Sequence, residues 1–239
     1  MIDRLKLLAG DSIEVDGIII KQPKLRDIKN IGIDAYYWCL CFLTITMEQY
    51  LTSTKRQDSI PDFKEQGITM FDIYLNSIPE RDWFIGSLSF FIDGKIEYYG
   101  DRFLVNNHRE ITKINYPKIA IAIGEINFIK INYEQQQELY ANEKARQIAE
   151  KIRQAREKQK ALTKKEDVVL LDDIISSVAA RHPSLNLLNI WDLTVYQLYD
   201  QYHRLRTIDD YNIQAMNLAY RGGEKDFEHY SVPLKLLIK

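Results

Sequence analysis

The stretch from Tyr133 to Glu166, YEQQQELYANEKARQIAEKIRQAREKQKALTKKE, is built from strong helix formers and has few bulky apolar side chains. Such a segment favours helix by propensity yet has little surface to bury, since Ile148 and Ile152 offer only a thin stripe. It reads as a spacer or a weakly docked helix. If continuous from Tyr133 to Thr163 it extends about 45 Å at roughly 1.5 Å per residue. The 239 residues therefore divide into an N-terminal part, 1–132, a charged helical linker, 133–166, and a C-terminal part, 167–239. The expected class is α+β: an N-terminal mixed α/β-element domain, a long charged helical connector and a C-terminal helical domain.

The first twenty residues alternate like short strands. Ile13 and Val15 should face Ile18 and Ile20 across Asp16-Gly17, a dipeptide suited to a tight hairpin turn. Pro23 can open a helix through Leu25, Ile28 and Ile31 that Gly32 ends. Asp34 can cap the next helix, whose YYWCLCFL run is apolar nearly all round and should be buried. The two cysteines in that run, Cys39 and Cys41, have no nearby histidine or second pair to complete a metal site, so buried free thiols are expected. From Thr52 to Gln66 the sequence turns polar and reads as an exposed connection. The apolar stretch ITMFDIYLNSI follows. Pro79 then starts a helix holding Trp83, Phe84, Leu88 and Phe91. Asp93-Gly94 separates SFFI from KIEYY and predicts a second β element over residues 88–105. Residues 119–131 fit either a strand, by alternation, or a helix entered at Asn115 and Pro117.

After the linker, VVLLDDIISSVAARH recovers helical periodicity until Pro183. Thr194 can cap a helix while Gln197 returns the bond, with Leu193 packing on Leu198. Val195, Leu198, Tyr199, Tyr202 and Leu205 fall on one stripe. A second helix is expected from Thr207 or Asp209 through Ile213, Met216 and Tyr220 to Gly222-Gly223, completing a helical hairpin.

The net charge of −2 gives no whole-chain attraction to nucleic acid. Residues 141–166 hold nine Lys or Arg against four Glu but no aromatic residue to stack on bases, so a solvated linker is preferred over a nucleic-acid reader. There is no phosphate loop, dinucleotide fingerprint, GxSxG elbow or HExxH pair in the chain. Asp200 and His203, three residues apart, read as a solvated polar face opposite the tyrosine stripe. Asp209-Asp210 reads as acid favouring a helix start. These features argue against an enzyme, with no catalytic, metal or cofactor site. The expected activity is protein binding, for which Trp191, Tyr196, Tyr199 and Tyr202 are the contact candidates, Tyr196 and Trp191 foremost because they lie off the core stripe.

Two stretches carry a family resemblance. GIIIKQPKLRDIKNIGIDAYYWCL, residues 17–40, with its strand, QP and Ile-containing helix ending in Gly, and NIWDLTVYQLYDQYHRL, residues 189–205, resemble the N- and C-terminal patterns of tail-region proteins of long-tailed phages of Gram-positive bacteria. Such proteins are similar to tail assembly chaperones, which hold the tape-measure protein while tail-tube subunits assemble around it. The resemblance implies a non-enzymatic role in the host cytoplasm, with a tail protein such as the tape-measure protein as partner. Alternatives are a structural virion tail component or a phage protein that engages a host or defence protein. No membrane or nucleic-acid partner is expected, and a homo-oligomer is compatible. No secretory leader is expected from the N-terminal residues.

Overall fold

The computed structural model describes residues 2–129, 131, 169–222 and 229–231. The expected connector, 133–166, lies outside these.

Asp3 accepts a hydrogen bond from the Leu5 amide and starts α1 (Arg4–Ala9), which Gly10 closes in the left-handed conformation. This short helix stands where strand-like alternation was expected. β1 (Ile13–Val15) and β2 (Ile18–Ile20) pair antiparallel in the expected register, Ile13 opposite Ile20 and Val15 opposite Ile18. Asp16 and Gly17 both take positive φ at the turn, the requirement that makes an Asp-Gly pair fit there. α2 (Leu25–Ile31) follows, but its N-cap is Lys24, so Pro23 precedes the helix instead of opening it. Gly32 ends α2 and is itself the N-cap of α3 (Ile33–Thr44), which leaves Asp34 in the first turn and not at the cap.

α3 buries Tyr36, Leu40, Phe42 and Leu43, but not its whole circumference. Trp38 is 60% exposed, and the free thiols of Cys39 and Cys41 are half-buried and exposed respectively, contrary to the expected burial. A helix one layer from solvent has an outer face whatever its composition. α4 (Met47–Ser53) starts at a Thr46–Gln49 capping box. The polar connection is indeed exposed, but it contains a 3-10 turn at Gln57–Ser59 and α5 (Ile60–Glu65) with Pro61 in its first turn. α6 (Met70–Asn76) and α7 (Ile78–Phe91) come next, α7 with Pro79 in its first turn as expected.

The second β element is displaced. SFFI completes α7 and contributes only a bridge from Ile92 to Ile20, while the sheet is β3 (Ile96–Tyr99), β4 (Arg102–Val105) and β5 (Arg109–Ile111), a meander. Helical burial of Phe84, Leu88 and Phe91 on one stripe overrides the β preference of the aromatic run. The ambiguous segment resolves as α8 (Tyr116–Ile126) with Pro117 in its first turn. α9 (Leu171–Arg181) packs on α10 (Val195–Arg221), reached through a 3-10 turn at Ile190–Asp192.

The described elements amount to α+β, with helices around two small antiparallel sheets. Phe71, Tyr74, Phe84, Phe103 and Tyr116 form the aromatic centre, with Tyr74 stacked on Phe84 at 4.3 Å between centroids. The buried residues Leu171, Ile174, Val178, Ile190, Val195 and Leu198 belong to the same contiguous core as those of α1–α8.

Candidate functional site

α10 begins as its sequence dictates. The Gln197 amide donates to Thr194 Oγ1 at 3.2 Å and the Thr194 amide donates to Gln197 Oε1 at 2.9 Å. Gln197 Nε2 also donates to the Leu8 carbonyl at 2.8 Å, so the cap is tied to the end of α1. Val195 and Leu198 are buried, and Tyr199, Tyr202 and Leu205 are half-buried against the core, as the stripe predicts.

The expected hairpin is absent. α10 is one continuous helix of 27 residues, about 40 Å long, ending at Gly222 with φ 68°. Thr207 and Asp209 lie inside it. Thr207 Oγ1 donates back to the His203 carbonyl at 2.8 Å, satisfying its hydroxyl within the helix instead of capping a new one. Asp209 accepts from Arg181 at 2.6 Å and so joins α10 to the end of α9.

Asp200 and His203 do not form a solvated face. Asp200 is only 5% exposed and holds the Arg4 guanidinium at 2.8 Å. His203 is half-buried with its ring stacked on Phe128 at 5.6 Å, and burial, then Arg206, lowers its pKa against the opposing pull of Asp200. Phe128 has φ 60° just beyond α8, where the Ile129 amide turns back to the Gly124 carbonyl at 2.8 Å. A bulky residue with positive φ is costly, and here it puts one ring against Tyr196 at 4.8 Å, Tyr199 at 5.4 Å and His203.

The four contact candidates thus fall in two places. Tyr196 and Tyr199 join the Phe128 cluster, and Tyr202 lies beside it with its ring edge on His203 at 5.6 Å. Trp191 is separate: its indole N–H donates to the Leu187 carbonyl at 2.8 Å, and the Lys29 ammonium sits 5.4 Å over its ring. All four are half-buried, and all four pack against the core. The apolar side chains that α10 leaves in solvent lie further along: Ile213, Met216 and Tyr220, the last 88% exposed. Their spacing of three and four residues puts them on one stripe, the pattern the sequence assigns to a second helix.

Among the described residues no group of three or more His, Cys, Asp or Glu side chains could hold a metal ion. Likewise, no described helix is long and apolar enough to cross a membrane. A groove beside α1, β1 and α8 is lined by Ile13, Val15, Ile121 and Ala122, and two of its charged lining residues, Lys118 and Asp16, already pair at 2.9 Å.

Residues 163–235 match the family model described as the YomV second domain, about a third of the chain. That family is of a phage-derived, Bacillus prophage type, and the match suggests a phage protein. The described part of the matched segment is residues 169–222 and 229–231, which hold α9, the 3-10 turn and α10. No curated protein and no solved structure matches the chain.

Proposed function

We propose that the chain is a non-enzymatic phage tail assembly chaperone that binds the tape-measure protein, or another tail protein, in the host cytoplasm. The observation that carries this reading is the match of residues 163–235 to a phage-associated domain, taken with the tail-region resemblance of residues 189–205 inside the same segment. Physical support comes from the division of α10. Its first half packs on the core, whereas its second half presents Ile213, Met216 and Tyr220 to solvent. An exposed apolar stripe on a well-anchored helix is what a protein needs to shield a helical client, because client side chains can dock between stripe residues as they do in a groove. The half-buried candidates Trp191, Tyr196, Tyr199 and Tyr202 then serve first to hold the arm in place.

Co-expression with the tape-measure protein of the phage that encodes the chain tests this reading. Client solubility should rise and the two should co-purify; no gain and no co-purification count against it. Mass spectrometry of purified particles should find the chain absent, whereas retention would favour a structural tail component.

A further inference from the structure

The outer face of α3 and α7 carries an exposed aromatic pair that the core does not use. Trp38 and Trp83, 60% and 59% exposed, stack on one another with centroids 5.5 Å apart and planes 28° apart. The two helices run antiparallel, since Tyr36 lies against Phe90 while Trp38 lies against Trp83. Three residues back along α3 and three residues on along α7 therefore lead the same way, to Ala35 and Gly86, both exposed. The stacked rings form a ledge beside a strip of small residues.

Gly86 is out of place in its helix. It stands inside a fourteen-residue helix, where glycine is disfavoured, and a Cβ built on it meets nothing within 4 Å among the described residues. Gly124 shows the contrast, because a Cβ there would lie 2.8 Å from the Ile129 carbonyl oxygen. Packing among the described residues accounts for Gly124 and gives no reason for Gly86, which leaves room there for close approach by another backbone.

Charge defines what approaches. α3 and α7 contain no lysine, and the one arginine, Arg81, is turned onto the Tyr98 ring at 3.6 Å. Asp34, one helical turn from Trp38, and Asp82, next to Trp83, are exposed with no side-chain partner among the described residues. A second copy docked through the same face about a twofold axis would set these carboxylates against each other, so self-association is disfavoured. We propose that this face docks an amphipathic helix of another protein, its small apolar side seated on Gly86 and the tryptophan rings and a Lys or Arg reaching Asp34 and Asp82. An arriving cation gains both the carboxylates and the indole faces. This goes beyond the tail-assembly reading and does not rest on it.

The probe is a synthetic helical peptide of about 20 residues, long enough to hold helix in water, with Ala and Leu on one side and Lys on the other. Its binding to the full chain is followed by fluorescence anisotropy, next to a version with Glu in place of Lys. The Lys peptide should bind at least about tenfold more tightly than the Glu peptide and weaken as salt rises. Gly86→Leu should reduce its affinity about tenfold or more while leaving the melting temperature equal or higher, and Trp83→Ala should reduce it likewise. Cys41, on the same face, should be alkylated more slowly in the complex. No binding to the wild-type chain, equal binding of the two peptides, unchanged binding by Gly86→Leu, or dimerisation through this face would each overturn the proposal.

Discussion

The Arg4 guanidinium meets the Asp200 carboxylate at 2.8 Å, so two residues 196 positions apart join α1 to α10. The two partners are unequally buried: 39% of the Arg4 side chain is exposed against 6% for Asp200. Removing the cation strands a buried carboxylate, whereas removing the carboxylate leaves a guanidinium that can turn to water. Arg4→Ala should therefore cost about 3 kcal/mol and Asp200→Asn about 1 kcal/mol. Urea unfolding of both variants checks the order; equal costs would contradict it.

Helix continuity gives a sharper test at Thr207. In a single α10, Thr207→Pro removes a backbone hydrogen bond and clashes with the preceding turn, at a cost of about 3 kcal/mol. Were Thr207 the start of a second helix, proline would be tolerated there. Thermal melting followed by circular dichroism separates the two, and a melting temperature unchanged by the substitution would restore the hairpin.

Glycine positions should respond in opposite directions. Gly124→Ala pushes a methyl group against the Ile129 carbonyl oxygen and Ile131 and should cost about 2 kcal/mol. Gly86→Ala adds helix propensity in open space and should gain about 0.5–1 kcal/mol. Differential scanning calorimetry of the two variants measures both signs.

His203 sets a pH dependence. Burial against the Phe128 cluster, reinforced by Arg206, holds its folded pKa below the usual 6.5. Between the folded and unfolded values the unfolded chain binds more protons, so this group's contribution to stability is complete above about pH 6.5 and is lost as pH falls. The urea midpoint should drop between about pH 7.5 and about pH 5.5, and His203→Phe should flatten that slope. An identical slope in the variant would count against the assignment.

Local signals read correctly where one residue pair decides the outcome. The Asp16-Gly17 turn fixes the first hairpin's register, and Thr194 with Gln197 fixes the start of α10. Long-range relations were not legible. Asp200 and His203 have the spacing of any polar helix face, and only the arrival of Arg4 and Phe128 from elsewhere covers the one and half-buries the other. The hairpin expectation failed because Thr207 and Asp209 are good capping residues that here bond the His203 carbonyl and Arg181 instead. Similarly, SFFI has the composition of a strand, yet its aromatic residues serve the inner and flanking faces of α7. For the candidate surface, Ile213, Met216 and Tyr220 were legible only as positions on an expected second helix, and their exposure along one stripe of α10 is a result of the structure. The sequence offers Tyr196 and Tyr199 as contact candidates but not the ring of Phe128 that packs on them, because aromatic content does not distinguish an exposed ring from one clasped by a distant turn.

The central claim is that the exposed stripe of α10 holds a tail client. It is tested most directly by co-purifying the chain with the tape-measure protein of its phage, as wild type and with Ile213, Met216 and Tyr220 all changed to Ser. Retention of the client by the wild type and its loss from the triple variant, with both chains folded and of similar melting temperature, is the expected result. A client that is not retained by the wild type, or is retained equally by both, would contradict it.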